Sequence, residues 1–147
     1  MPRPADEPVG GEEVHARLLV SVGRAGSVRI VTVGGELDHD TASELRAALA
    51  LPVDDGIARI LVDFGDLQFC DSTGLNLLLR ARLDAEAAGL SLEVADLQPA
   101  VARLFEITGV DTVMRIHPDR GAALKAPGSG TGSGDDDRPP PATAGEA

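Results

Sequence analysis

Two periods of apolar residues alternate along the chain between residues 18 and 125, and each changeover marks the edge of an element. Leu18 to Val22 and Val28 to Val33 are short runs rich in β-branched residues, joined through Gly23-Arg24-Ala25-Gly26-Ser27; they predict a hairpin of two strands. From Thr41 to Leu51 the spacing becomes helical, with Ala42, Leu45, Ala48 and Leu49 on one face and Asp40 as the expected N-cap. Arg59 to Phe64 reads as a buried strand. Thr73 to Ala88 reads as a helix whose apolar stripe is Leu75, Leu78, Leu79 and Leu83, stopped by Gly89. Leu90 to Ala95 is the next strand. Pro99 opens a helix carrying Val101, Leu104, Phe105 and Ile107, ending near Gly109. Val113 to Ile116 is a short last strand, and Pro118 to Lys125 a final helix. Strands alternating with helices require βαβ crossovers. The expected fold is therefore α/β: one domain with a mixed sheet of four to five strands, a hairpin at its start, parallel pairing later and helices packed on the sheet.

Composition sets the limits of that domain. A chain of 147 residues with 43% hydrophobic content holds one core and is too short for two. Residues 1–14 carry four acids against one Arg and no apolar period, so a flexible N-terminal segment is expected there. From residue 121 to 147 the chain turns rich in Gly, Ser, Pro and Asp, which predicts a disordered tail and places the domain at residues 15–120. That domain holds 16 acids and 10 Arg, so the net charge of -11 belongs to it as well as to the ends. Nucleic acid is excluded as a partner by this charge, by the single Lys, and by three Phe with no Trp or Tyr to stack on bases. No apolar run nears the roughly 20 residues needed to span a bilayer. With no secretory signal and one unpaired Cys, a cytoplasmic location is expected, without membrane contact.

The junction Asp71-Ser72-Thr73-Gly74-Leu75 concentrates the candidate chemistry. A serine between strand and helix can cap the helix with its side-chain oxygen, and a helix N-terminus also receives a phosphate well. On local chemistry alone the cap is the stronger reading of Ser72, with Thr73 as a first-turn residue. The loop holding Glu36, Asp38 and His39 follows another strand, and in such sheets functional groups gather beyond the strands' carboxyl ends, so the two loops are expected to adjoin. His39 reads as a solvated loop residue, and no His or Cys stands at metal-ligand spacing. Cys70 reads as a small apolar residue beside Phe69, with a redox role left open by its closeness to Ser72. Catalysis by Ser72 would need a general base, yet there is no GxSxG elbow and nothing ties His15, His39 or His117 to it. A phosphate receiver using Asp63 or Asp71 would need an acidic pair after the first strand, and a nucleotide hydrolase a GxxxxGK[ST] loop; both are missing. The expectation is a protein that binds and does not catalyse, without cofactor or metal.

Three stretches, in order and spacing, resemble the anti-sigma factor antagonists built on the STAS domain: GGELDHDTASELR at 34–46, LVDFGDLQFCDSTGL at 61–75 and QPAVARLFEITGVDTVMRI at 98–116. The likeness spans roughly residues 15–120. It implies a domain that, when dephosphorylated, binds an anti-sigma factor, typically a serine kinase with a histidine-kinase-like ATPase fold, and so frees a sigma factor. It also implies that this kinase switches the domain off by phosphorylating the serine after the motif Asp, here Ser72, and that a serine phosphatase reverses it; Thr73, one residue on, is the secondary candidate by its closeness alone. Carried over by position, Asp71 would orient the acceptor, Gly74 would let the kinase backbone approach, and Leu75 with Glu36, Asp38 and His39 would border the contact. Asn76 stands where the family commonly has Gly, which bears on partner choice. The fold also serves as a scaffold or sensor module in larger assemblies, and that remains the alternative to a switching antagonist.

Overall fold

The computed structural model describes residues 17–126, and the two periods of the sequence resolve there into one five-stranded sheet with its helices. β1 (Leu18–Ala25) pairs antiparallel with β2 (Val28–Leu37) across a turn in which Gly26 takes a φ of 60°. Parallel to β2 follow β3 (Arg59–Cys70), β4 (Ser91–Ala95) and β5 (Arg115–His117), so that sheet order is chain order. The helices are α1 (Ala42–Leu49), α2 (Ser72–Ala87), α3 (Pro99–Thr108) and α4 (Arg120–Lys125), with a 3-10 turn at Val110–Thr112. The expected ends of the chain, residues 1–14 and the tail beyond Ala126, lie outside the described residues, and α4 carries the fold past the domain edge expected at Arg120.

The alternation of the strands sorts the core. Val31, Val33, Ile60, Val62, Phe64, Leu92 and Val94 share one cluster with Leu45 of α1, Leu75 and Leu78 of α2, and Val101 and Phe105 of α3. The intervening positions Val28, Ile30, Leu61 and Ala95 meet Ala123 of α4 in a smaller cluster. Each fully buried Leu, Val or Phe contributes about 1.5–3 kcal/mol.

Several sequence expectations are corrected. The hairpin turn is shorter than Gly23 to Ser27, because β1 runs on to Ala25. Asp40 does not cap α1: the N-cap position is Thr41, whose side chain makes no cap hydrogen bond, and Asp38 Oδ1 braces the turn before it by accepting from Asp40 N at 2.9 Å and Thr41 N at 3.1 Å. Leu83 is 55% exposed. Eleven residues at about 100° each bring it to within about 20° of Ser72, on the outer side of α2, while the buried stripe runs through Leu75, Leu77, Leu78 and Ala85. Ile107 is likewise exposed, turned about 200° from Phe105 in a helix that buries only Val101 and Phe105. The last strand begins at Arg115, since Val110 to Thr112 close a 3-10 turn first.

β3 does not end at Phe64. It stays paired with β2 for six more residues through register shifts at Thr32/Gly34 and Gly35/Glu36, where the Gly34-Gly35 pair accommodates the bulges. A side chain at Gly34 would press on Asp66, and Gly35 takes a φ of 97°. The two strands thus travel together to their carboxyl ends.

The smaller face carries a buried ion cluster that no periodicity announced. Arg59 donates to Glu93 through Nε at 3.2 Å and Nη2 at 2.6 Å, and to the carbonyls of Ala123 and Ala126 at 2.8 and 3.3 Å. Ser91 Oγ and His117 Nε2 reach the same carboxylate at 2.7 and 2.8 Å. Nearby, Arg120 joins α4 to Asp63 at 2.8 Å and Thr32 at 2.7 Å, so the Asp63 carboxylate is already occupied.

Candidate functional site

The ends of β2 and β3 bring the two candidate loops together. Glu36 pairs with Phe69 and Leu37 with Cys70, and Asp71 N donates to Leu37 O at 3.2 Å. The expected adjacency thus follows from pairing that continues past the two bulges to Leu37 and Cys70.

Asp71, not Ser72, is the N-cap of α2. Its extended backbone (φ -108°) turns Oδ1 toward Gly74 N, which donates at 3.2 Å. The carboxylate therefore serves the helix start and does not hold the Ser72 hydroxyl. Ser72 is the first helical residue, exposed, and its hydroxyl has no hydrogen-bond partner among the described residues. Asp71→Ala is expected to lower stability by about 1 kcal/mol, while Asp71→Asn keeps the cap; urea unfolding measures the difference.

The remaining motif residues divide between core and surface. Leu75 is buried, and so is Gly74. A Cβ at Gly74 would lie 2.8 Å from Leu37 Cγ and 2.9 Å from Cys70 Sγ, closer than real side chains come. The close approach expected at this glycine is made by the domain's own core. Gly74→Ala should cost about 1–3 kcal/mol through overpacking, seen as a lower urea midpoint with an unchanged slope. Thr73 is half-buried, whereas Asn76 and His39 are exposed and Phe69 is 49% exposed beside them. Burial, with the Asp71 charge adding to it, pushes the Cys70 thiol up to about 12, so it stays protonated and unreactive near neutral pH. The redox option for Cys70 falls.

Beside Ser72 lies an acidic rim. Glu36, Asp38 and Asp40 gather around Arg17, which pairs with Asp38 and reaches Glu36 at 3.5 Å and Asp40 at 3.8 Å. Thr41 closes the loop by donating to Glu36 O at 2.8 Å and accepting from Asp38 N at 2.9 Å. Three carboxylates against one guanidinium leave the rim negative. The sequence reading missed Arg17 and Thr41; Arg17 stands just before β1, and only the antiparallel pairing that places Leu18 opposite Gly35 brings it to this loop.

Among the described residues no helix is long and apolar enough to cross a membrane. The model of the family described as "Mlab, STAS domain" matches residues 20–116. An anti-sigma F factor antagonist of Paenibacillus polymyxa is 33% identical over 102 residues, covering 66% of this chain and 84% of the relative. An anti-sigma-B factor antagonist of Staphylococcus aureus is 34% identical over 87 residues, covering 59% of this chain and 81% of the relative. A solved anti-sigma factor antagonist from Mycobacterium paratuberculosis is 27% identical with a TM-score of 0.63, covering 73% of this chain and 91% of that one. With the five-stranded fold, the serine that opens the Asp71-capped helix and these likenesses together, the chain belongs to the STAS-domain family of anti-sigma factor antagonists.

Proposed function

We propose that this chain is a cytoplasmic, non-enzymatic anti-sigma factor antagonist that, when dephosphorylated, binds an anti-sigma factor serine kinase and so releases a sigma factor. Phosphorylation of Ser72 by that kinase ends the binding, and a serine phosphatase restores it. The observation that carries this reading is the exposed, unbonded Ser72 hydroxyl on a helix start already capped by Asp71, next to the acidic rim of Glu36, Asp38 and Asp40. Because the cap belongs to Asp71, Ser72 can be modified without removing the oxygen that starts α2. A phosphate adds about -1.5 to -2 charges near neutral pH, and the free N–H groups of a helix's first turn tolerate it. The fold therefore survives modification while the surface does not: the new charge meets carboxylates whose one ion-pair cation among the described residues, Arg17, is already shared. Any partner pressed against this patch must strip water from a dianion set beside carboxylates.

Ser72 is the acceptor and Thr73 the secondary one, since half-burial of Thr73 restricts its reach into a kinase. Exposed His39, Asn76 and Phe69 form the contact border, with buried Leu75 and Gly74 beneath it. Mass spectrometry of the protein purified from its own cells, with and without stress, tests the reading. A phosphate on Ser72 whose occupancy changes supports it; an unmodified Ser72 under every condition, with the anti-sigma factor still bound, points instead to a non-switching scaffold.

A further inference from the structure

A cleft of about 570 Å³ separates α1 from α2 on the main face of the sheet, within the roughly 300–1,000 Å³ typical of small-molecule sites. Its floor is apolar, made by Ile60 and Leu92 of the sheet with Leu49, Leu77 and Ala85 of the helices. The α2 wall changes character along its length: Thr73, Asn76 and Arg80 line the end toward the helix start, and Ala81, Ala85 and Ala88 the rest. Leu51, Val53 and Leu90 close the apolar end, where Leu51 is 48% exposed. One charge departs from this gradient, since Asp84 stands among the alanines of the α2 wall. The charged lining residues are Arg46, Arg80 and Asp84; Arg80 pairs with Asp84 at 3.4 Å, and Arg46 has no ion pair among the described residues. A cleft of net positive charge therefore stands on a domain of net charge -6 over residues 15–120.

We propose that this cleft binds a free long-chain alkyl carboxylate, with the carboxylate at Arg46 and Arg80 and the chain running along Leu77, Ala81 and Ala85 toward Leu51 and Leu90. The polarity gradient and the unpaired Arg46 select this ligand. An extended peptide would lay its N–H and C=O groups on the apolar floor without partners, which is costly. Arg46 can point a cation at one oxygen pair while the methylenes fill the apolar length. The site requires neither a kinase nor the Ser72 hydroxyl, so it stands or falls apart from the switching function.

Titration calorimetry of the full chain with octanoate through hexadecanoate, each below its micelle concentration, and with dodecanol as a neutral control, tests the assignment. Expected is one saturable site whose affinity rises roughly three- to fourfold per added CH₂ until the cleft is filled, then levels. Arg46→Glu, at an exposed position, should weaken carboxylates by about tenfold or more and leave dodecanol unchanged. Ala88→Trp, exposed at the apolar end, should bring the plateau to a shorter chain. Unchanged melting temperatures would show that both variants are folded. Absence of saturation, many ligands bound per chain, equal carboxylate affinity in Arg46→Glu, or uptake only from vesicles and not from monomeric solution would each overturn the proposal.

Discussion

Ser72→Asp is expected to bind the anti-sigma kinase at least about 100-fold more weakly than the unmodified protein, while Ser72→Ala binds within about threefold of it and can no longer be switched off; a hundredfold loss corresponds to about 2.7 kcal/mol. The asymmetry follows from the place of the hydroxyl. It is exposed and makes no bond within the described residues, so removing it takes nothing from the fold. A carboxylate there adds one more charge beside Asp71 and the Glu36–Asp40 rim, where Arg17 is the only ion-pair partner among the described residues. The helix itself gains from the change, since a negative charge in the first turn is worth about 0.3–1 kcal/mol. The two effects separate cleanly in experiment. Surface plasmon resonance against the purified kinase reads the affinity, and thermal unfolding reads the fold, with Ser72→Asp melting no lower than wild type. Equal affinity of the two variants would sink the mechanism, and a matching drop in melting temperature would reassign the loss to unfolding.

Much of this architecture could be read in advance because its signals are local. The hairpin, the helices and the parallel strands follow from period-2 and period-3.6 spacing together with Pro99, Gly89 and Gly109 as punctuation. The motif around Ser72 was legible for the same reason. What stayed hidden depends on neighbours distant in sequence. Leu83 has the right spacing for a buried stripe and the wrong direction, because Ala85 and Leu77 and not Leu83 face the sheet. The N-cap of α2 moved from Ser72 to Asp71 because the strand leads directly into the helix, leaving Asp71 in extended conformation and Ser72 already helical. The two residues compete for one role, and local preference ranks them nearly equal. The bulges of β3 had a readable signal in the glycines beside them, Gly65 in β3 and Gly34-Gly35 in the partner strand, since glycines inside a strand mark such irregularities.

The order of the sheet explains why site and stability are separable. The proposed switch surface sits at the carboxyl ends of β2 and β3, while the ion cluster of Arg59, Glu93 and His117 links β3, β4 and β5 under α4. Substitutions at the exposed Ser72 should therefore leave the cluster's pH-dependent stability intact.

Arg59→Met is expected to destabilise the protein by about 3–5 kcal/mol, a large part of the about 5–15 kcal/mol that holds an ordinary domain folded. Glu93 is 1% exposed and its carboxylate pairs with Arg59 at 2.6 Å, so removing the guanidinium weakens the support of a charge held in the core and takes a donor from two carbonyls at the end of α4. Replacing both partners, Arg59→Met with Glu93→Leu, removes the buried charge as well and should recover most of the loss. The pH dependence gives an independent readout. Burial pushes the Glu93 carboxyl up, but hydrogen bonds from Arg59, Ser91 and His117 and the Arg59 charge outweigh it and hold the group at about 2, against 4.5 for an unperturbed glutamate. A depressed value means that the group's contribution is fully present above about pH 4.5 and drains away as pH falls toward 2. Urea unfolding at pH 7 should therefore show wild type more stable than Glu93→Gln by about 3 kcal/mol, with the gap narrowing steadily below pH 4.5. A gap that stays constant from pH 7 to 3, or an Arg59→Met loss under about 1 kcal/mol, would mean that the cluster is solvated and that α4 is held by the apolar contacts of Ala123 alone.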